Sequence, residues 1–364
     1  VYSGARELAE RTGRAELLVQ VLAGLFAYHF VRAELRPAAD MAQELGKLSK
    51  KVGSEEAALA ADTTIGVASL ALGALAAAHE HLDRVIHTYD ASRHAALAIT
   101  FGQDFGVVAH AYSALLLWIT GAPDQAKARA ADALKLASWL RHPHSVALAL
   151  AIGALVHHFA RDAAKVRELA RKLYDLASAQ GFEHWVAESK FQMAWVTAEE
   201  GRAEEALIAM EEQIATFRAT ESMMPYQFHQ RLVAELMSRL GRADEALVML
   251  EELELMIEQA DEGWWWESEV WRLRADIALT LNEDDPRAED DYQRALDIAR
   301  GRRARSFELR AAIGLARLWH QRGRSADART LLADCYEGFT EGFETGDLRE
   351  THALIQELEA AILV

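Results

Sequence analysis

Three stretches decide the fold: Gly201-Arg-Ala-Glu-Glu-Ala206-Leu207, Gly241-Arg-Ala-Asp-Glu-Ala246-Leu247 and Gly323-Arg-Ser-Ala-Asp-Ala328. Each reads as the end of one helix, a tight polar turn and the start of the next. Glycine supplies the left-handed backbone that terminates a helix. The acid that follows favours the positive end of the next helix, and the small residue five positions after the turn lets the two helices approach closely. Weaker copies run from Arg36 to Met41, Gly73 to Ala78, Gly121 to Ala126, Arg161 to Val166 and Glu283 to Ala288. The turns at 36, 73, 121, 161, 201, 241, 283 and 323 are separated by 37, 48, 40, 40, 40, 42 and 40 residues. Such regularity marks one supersecondary unit repeated along the chain.

Larger apolar residues follow four positions after the small one (Leu45, Leu82, Met210, Leu250, Tyr292, Leu332), which makes an i, i+4 stripe toward a partner helix. A single helix pair cannot bury that stripe, so the pairs must stack. Strand signals are nearly absent. The unit resembles the tetratricopeptide repeat (TPR), whose second helix carries the small–large–small pattern seen in Ala288, Tyr292 and Ala295. Its period exceeds that family's usual length of about 34, which implies longer helices. The expected fold is therefore all-α: a TPR-like α-solenoid, a right-handed superhelix of about eight antiparallel helix pairs. It is expected to fill residues 1–364 as one repeat domain, with 1–20 the remnant of a preceding repeat, 87–106 an inserted connection and 336–364 a C-terminal cap. Tyr2 to Ala9 look like a second helix without its first, and the chain opens on Val1 rather than Met, so a piece of a longer array is expected.

Composition narrows the function. The 364 residues are 51% apolar, with 56 acids against 39 Lys plus Arg and a net charge of −17. That balance excludes a nucleic-acid footprint, which needs a positive surface. One cysteine excludes a disulfide scaffold, and Cys335 alone cannot build a zinc site. The longest uncharged run, residues 63–79, is Ala/Gly-rich and helical in pattern, as expected of a buried repeat helix rather than a membrane span. No signal peptide is visible, and a cytoplasmic location without membrane attachment is expected. The charge is uneven. Residues 1–200 carry 22 acids and 20 bases, whereas 201–364 carry 34 acids and 19 arginines, with no lysine after Lys190. The second half therefore predicts a basic or amphipathic protein or peptide partner.

Catalytic signatures are missing: there is no phosphate loop, nucleophile elbow, zinc-protease motif or dinucleotide fingerprint. The paired acids Glu204-Glu205 and Asp290-Asp291 point apart on helices and read as solvated faces, so no catalytic residue is assigned. Ten of the fourteen histidines precede residue 160, but His79 and His81 diverge on one helix and cannot chelate one ion. Neither a metal nor a cofactor is expected. Two segments stand out as candidate ligand or partner sites. The 48-residue interval places an insert over 87–106, and Tyr89, Arg93, His94, Gln103 and Asp104 there could hold a polar ligand or satisfy buried helix ends. Trp264-Trp265-Trp266 opens the first helix of the seventh repeat in this reading. On a helix their directions diverge, so either they pack in the core or at least one forms an exposed aromatic anchor.

Three groups of residues carry a more specific resemblance. They are Tyr89-Asp90-x-x-Arg93-His94…Phe101-Gly102-Gln103-Asp104-x-Gly106-Val107 leading to Trp118…Gly121-x-Pro123-Asp124-Gln125-Ala126; Trp265-Trp266-Glu267-x-Glu269…Arg272-Leu273; and Ser306-x-Glu308-Leu309-Arg310…Trp319, leading to Phe339-Thr340-Glu341-Gly342-Phe343-Glu344-Thr345-x-Asp347-Leu348. Together they resemble the C-terminal TPR-like region of bacterial adenylate/guanylate cyclase proteins that also carry an AAA-type signalling ATPase. Phe105 stands where that family often has proline, and Ala275 where it often has glycine. The resemblance implies a non-catalytic regulatory or scaffold role, with the upstream ATPase and cyclase domains among the partners. The alternative expectation is a small-molecule or peptide sensor, with its effector in the concave groove near the insert.

Overall fold

The computed structural model describes residues 14–260 and 263–362, and these form nineteen consecutive helices without a strand among the described residues. Eight antiparallel pairs account for most of them. They are α1 (Ala15–Val31) with α2 (Leu35–Val52), α3 (Glu55–Ala71) with α4 (Leu75–Thr88), α7 (Phe105–Ile119) with α8 (Pro123–Leu140), and α9 (Pro143–Phe159) with α10 (Ala163–Gln180). Then come α11 (Glu183–Glu199) with α12 (Ala203–Ala219), α13 (Met223–Arg239) with α14 (Ala243–Ala260), α15 (Glu267–Leu281) with α16 (Arg287–Arg302), and α17 (Arg305–Gln321) with α18 (Ser325–Glu337). The short α5 (Ala91–His94) and α6 (Leu97–Phe101) fill the insert after the second pair, and α19 (Gly346–Ile362) covers the last pair. The reading of Tyr2 to Ala9 lies outside the described residues. Ala15 to Gln20 belong to the first helix of the first pair rather than to a remnant.

The turn chemistry acts as the repeat demands. Residues 73, 121, 161, 201, 241 and 323 all take left-handed φ values, between 57° and 92°. At Gly201 the backbone then closes over the preceding helix: its N–H donates to Ala198 O and the Arg202 N–H to Thr197 O, at 3.0 and 3.2 Å. Two expected turns differ. The first lies at Ala33 (φ 59°), not Arg36, which is already inside α2. The interval from 33 to 73 is thus 40 rather than 37, in step with the rest of the array. The seventh pair is joined by an Asn282–Pro286 loop with no left-handed residue, where Asp285 accepts the Arg287 N–H at 2.9 Å. Five positions beyond each left-handed turn the small residue is sealed: Ala38, Ala78, Ala126, Val166, Ala206, Ala246 and Ala328 are all 0% exposed.

The two helices of a pair are not equivalent. In α7 twelve of fifteen residues are buried, against five of eighteen in its partner α8. First helices therefore line the inside of the solenoid and second helices its outside. The inside is filled where Trp118, Phe159, Phe228, Trp265 and Phe307 meet, with ring centroids 4.2 to 6.2 Å apart; these residues come from the third, fourth, sixth, seventh and eighth pairs.

This aromatic hub exists because the chain coils back on itself. Residues 263–350 run across the turns of the second, third and fourth pairs. The Trp265 N–H donates to Ala71 O at 3.1 Å, Ser306 Oγ donates to Trp118 O at 2.5 Å, and Arg310 Nη2 donates to Phe159 O at 3.2 Å. Glu341 accepts the N–H groups of Asp124 and Gln125 at 3.0 Å each, a carboxylate on the positive end of α8. Asp124 in return accepts the Gly342 N–H at 2.9 Å. Arg161 pairs with Asp347 and Glu350 at 2.9 and 2.8 Å. At the other rim Arg32 pairs with Glu221.

Candidate functional site

Between the hub and the first pair the inner helices enclose a cavity of about 570 Å³. Its walls are mostly apolar and come from far along the chain: Phe26 and Phe30 of α1, Val67 of α3, Tyr112 of α7, Leu148 of α9, Phe228 of α13, and Trp265. One side is polar. Glu188 of α11 is buried with no opposing full charge, and burial pushes its carboxyl up to about 7. Its Oε1 accepts from Gln192 Nε2 at 2.7 Å, and its Oε2 lies 3.6 Å from His229 Nε2. Burial drives His229 down to about 3 and His184 to about 4, so both rings are neutral, and the Nδ1 atoms of both lack a partner. Thr63 Oγ1, which also lines the cavity, is unpartnered too. An apolar chamber with a small cluster of unsatisfied donors and acceptors suits a ligand with an apolar body and one polar end.

The insert contributes directly. Phe101, Gln103 and Phe105 line the cavity. The Gln103 amide lies 3.2 Å from His144 Nδ1, while Trp185 Nε1 donates to His144 Nε2 at 3.3 Å. Burial lowers the His144 pKa, keeping the ring neutral.

The other insert residues hold the insert in shape. Asp104 is fully buried and caps α7, accepting the Val107 N–H at 2.9 Å and the Tyr89 hydroxyl, while its own N–H donates to Ser145 Oγ at 3.0 Å. Burial raises the pKa of both Tyr89 and Asp104. His94 Nδ1 accepts the Asp90 N–H at 3.0 Å, and Arg93 pairs with Glu55. None of Tyr89, Arg93, His94 or Asp104 lines the cavity. Phe105 occupies the first position of α7, a place that also accommodates proline.

The tryptophan triplet corrects an expectation. Helix α15 begins at Glu267, so Trp264–Trp266 precede it, and all three indoles are buried, at 2, 7 and 0% exposure. The non-helical backbone removes the angular spread that would have forced one outward. No aromatic anchor is presented there, and only Trp265 faces the cavity. Of the acids read as solvated, Asp291 turns inward to Arg274, whereas Asp290 is exposed.

No sequence motif marks the polar side of the cavity. The readable signal is an acid, Glu188, at a core position of α11 between Trp185 and Phe191. The residues that carried the specific resemblance have another role: Trp118, Pro123, Asp124 and Gln125 meet Ser306, Glu341 and Gly342 along the seam. Among the described residues no cluster of three or more potential metal ligands occurs, and no helix is long and apolar enough to cross a membrane.

No protein-family model and no curated protein matches the sequence. Solved structures do match. The Rap protein complexed with competence and sporulation factor superposes with a TM-score of 0.60 at 13% identity, covering 95% of this chain and 98% of its own. Aspartyl phosphate phosphatase F from Bacillus subtilis matches at 11% identity and TM-score 0.48, over 95% of this chain and 94% of its own. A signal transduction ATPase with a tetratricopeptide repeat sensor from Pyrococcus horikoshii matches at 10% identity and TM-score 0.47, over 92% of this chain and 54% of its own. The Rap likeness shows the fold. This chain is a TPR-like helical solenoid.

Proposed function

We propose that the chain is a regulatory sensing module whose inner cavity takes an apolar effector with one polar end. The observation that carries this reading is the origin of the cavity walls, which run from α1 to Trp265 and include three residues of the insert. A ligand there touches both the first pair and the segment that coils back at Trp265, and stabilises the closed superhelix over any opened one. The Rap structure, solved in complex with competence and sporulation factor, supports effector binding by such an architecture. The sequence resemblance supports the finer reading, in which the module regulates an attached nucleotide cyclase or signalling ATPase and performs no catalysis itself.

The test is binding of an environment-sensitive apolar dye, N-phenyl-1-naphthylamine, to the full chain. Saturable fluorescence enhancement is expected in the wild type. Ala27→Trp, at an exposed wall position, is expected to abolish it with helical content unchanged. Equal enhancement in both proteins refutes the cavity reading.

A protein partner is favoured by a different observation. The outer helices α12 and α14 expose Ile208, Val248 and Leu255 among Glu204, Glu205, Glu211, Glu251 and Glu252. Such a surface suits a basic amphipathic segment, with an association rate that falls as salt rises.

A further inference from the structure

Beyond the aromatic hub lies a second recess of about 420 Å³, lined by six arginines, Arg231 among them, by the carboxylates Glu199, Glu235, Asp276 and Glu350, and by His158 and Trp195. Its placement is unexpected, because residues 201–364 carry 34 acids against 19 arginines. Five of the six lining arginines are neutralised locally, Arg310 by Asp347 at 2.7 Å. Arg239 pairs with Glu199 at 3.0 Å, Arg317 with Glu350 at 2.8 Å, Arg161 with Asp347 and Glu350, and Arg272 with Glu269 and Asp276.

Arg231 differs. Its side chain is 1% exposed and lies over the Phe228 ring, with the guanidinium carbon 4.8 Å from the centroid. Only Nη1 approaches carboxylates, at 3.5 Å from Glu269 and 3.7 Å from Glu235, and both distances are long for a guanidinium pair. Nε and Nη2 have no partner. Those two atoms form one edge of the guanidinium, the edge that meets two oxygens of a carboxylate or phosphate side-on. A buried cation with an unsatisfied bidentate edge is costly. Glu269 offsets little of it, since this single carboxylate also serves Arg272 at 2.8 Å and Arg310 at 3.2 Å. His158 is held neutral by burial and by Arg231 and Arg310, and it packs on Trp195 with centroids 4.3 Å apart.

We propose that this recess is a binding site for a small oxyanion ligand, a phosphate- or carboxylate-bearing molecule drawn by the uncompensated charge of Arg231. The site does not rest on the apolar cavity, and each stands or falls alone. A recess of this volume walled by five inner helices takes a small molecule rather than a chain segment.

The experiment is isothermal titration of the full chain at low ionic strength with pyrophosphate and, separately, with citrate. Saturable binding of either probe is expected, and the stronger of the two identifies phosphate or carboxylate as the group recognised. Arg231→Met is expected to weaken binding by at least about tenfold, the loss of one charge-assisted pair. Arg317→Gln, at an exposed wall position, is expected to weaken it by a smaller factor with the fold intact. Far-UV circular dichroism verifies the fold, and should Arg231→Met not fold, Arg317→Gln carries the test. Absence of heat from both probes at millimolar concentration overturns the proposal. So does wild-type affinity in every variant that folds.

Discussion

Replacing Glu188 with glutamine tests the electrostatics of the inner cavity. The carboxyl is buried and its pKa rises from 4.5 to about 7 on folding. Its nearest ionisable neighbour, His229 at 3.6 Å, is itself driven to the neutral form, so this contact does not hold the carboxylate charged. A raised folded pKa means that Glu188 favours the fold when protonated. That contribution is complete below pH 4.5 and is lost as pH rises through 7. At 1.36 kcal/mol per pKa unit the full loss is about 3 kcal/mol, and roughly three quarters of it falls between pH 5 and 8. Glutamine keeps the bond to Gln192 and does not titrate. Urea denaturation of both proteins at pH 5, 6, 7 and 8, followed by circular dichroism, isolates the effect in the difference between them. His184 and His229 titrate in both and drop out. The wild type is expected to lose about 2 kcal/mol relative to Glu188→Gln across this range. A difference that stays constant with pH refutes the buried, uncompensated carboxylate.

Further predictions concern the seam and the insert. Gly342 has φ of +75°, and an added Cβ would lie 2.1 Å from Pro123 Cγ. Gly342→Ala is therefore expected to lower stability by at least about 1 kcal/mol, read by thermal unfolding, and to speed proteolysis near residues 338–345. Asp104→Ala removes a helix cap and leaves the Tyr89 hydroxyl and the Val107 N–H without their acceptor. A loss of about 2 to 4 kcal/mol is expected in urea denaturation. Arg93→Ala removes a partly exposed pair with Glu55 and a 3.2 Å contact with His94 Nε2, and is expected to change stability by less than about 1 kcal/mol in the same assay.

The repeat was legible because its signals are local. A left-handed residue and a sealed small residue or valine lie within six positions at seven turns of the array, and six of the seven also carry an acid. The first turn was misplaced because Ala33 carries no mark of its left-handed conformation, while Arg36 happens to stand near the right place. Trp264–Trp266 misled through an assumed helix start: three residues' difference in that boundary turns diverging side chains into buried ones. In the insert, Gln103 does line the cavity, but its polar neighbours serve caps and turns, and residue type alone does not separate these uses. The cavity itself depends on contacts such as Ser306 with Trp118, 188 residues apart, and no local pattern encodes a pairing of that span.

Coiling back on itself changes what kind of polymer this solenoid is. In an open array each unit touches only its neighbours, so units can be gained or lost at little consequence. Here Ser306, Arg310 and Glu341 must arrive opposite Trp118, Phe159 and Asp124. Deleting or duplicating any one unit between them would carry each group a full repeat out of alignment. The number of repeats between the joined units is thereby fixed like the number of staves in a barrel, and a change in any one of them is felt at the seam.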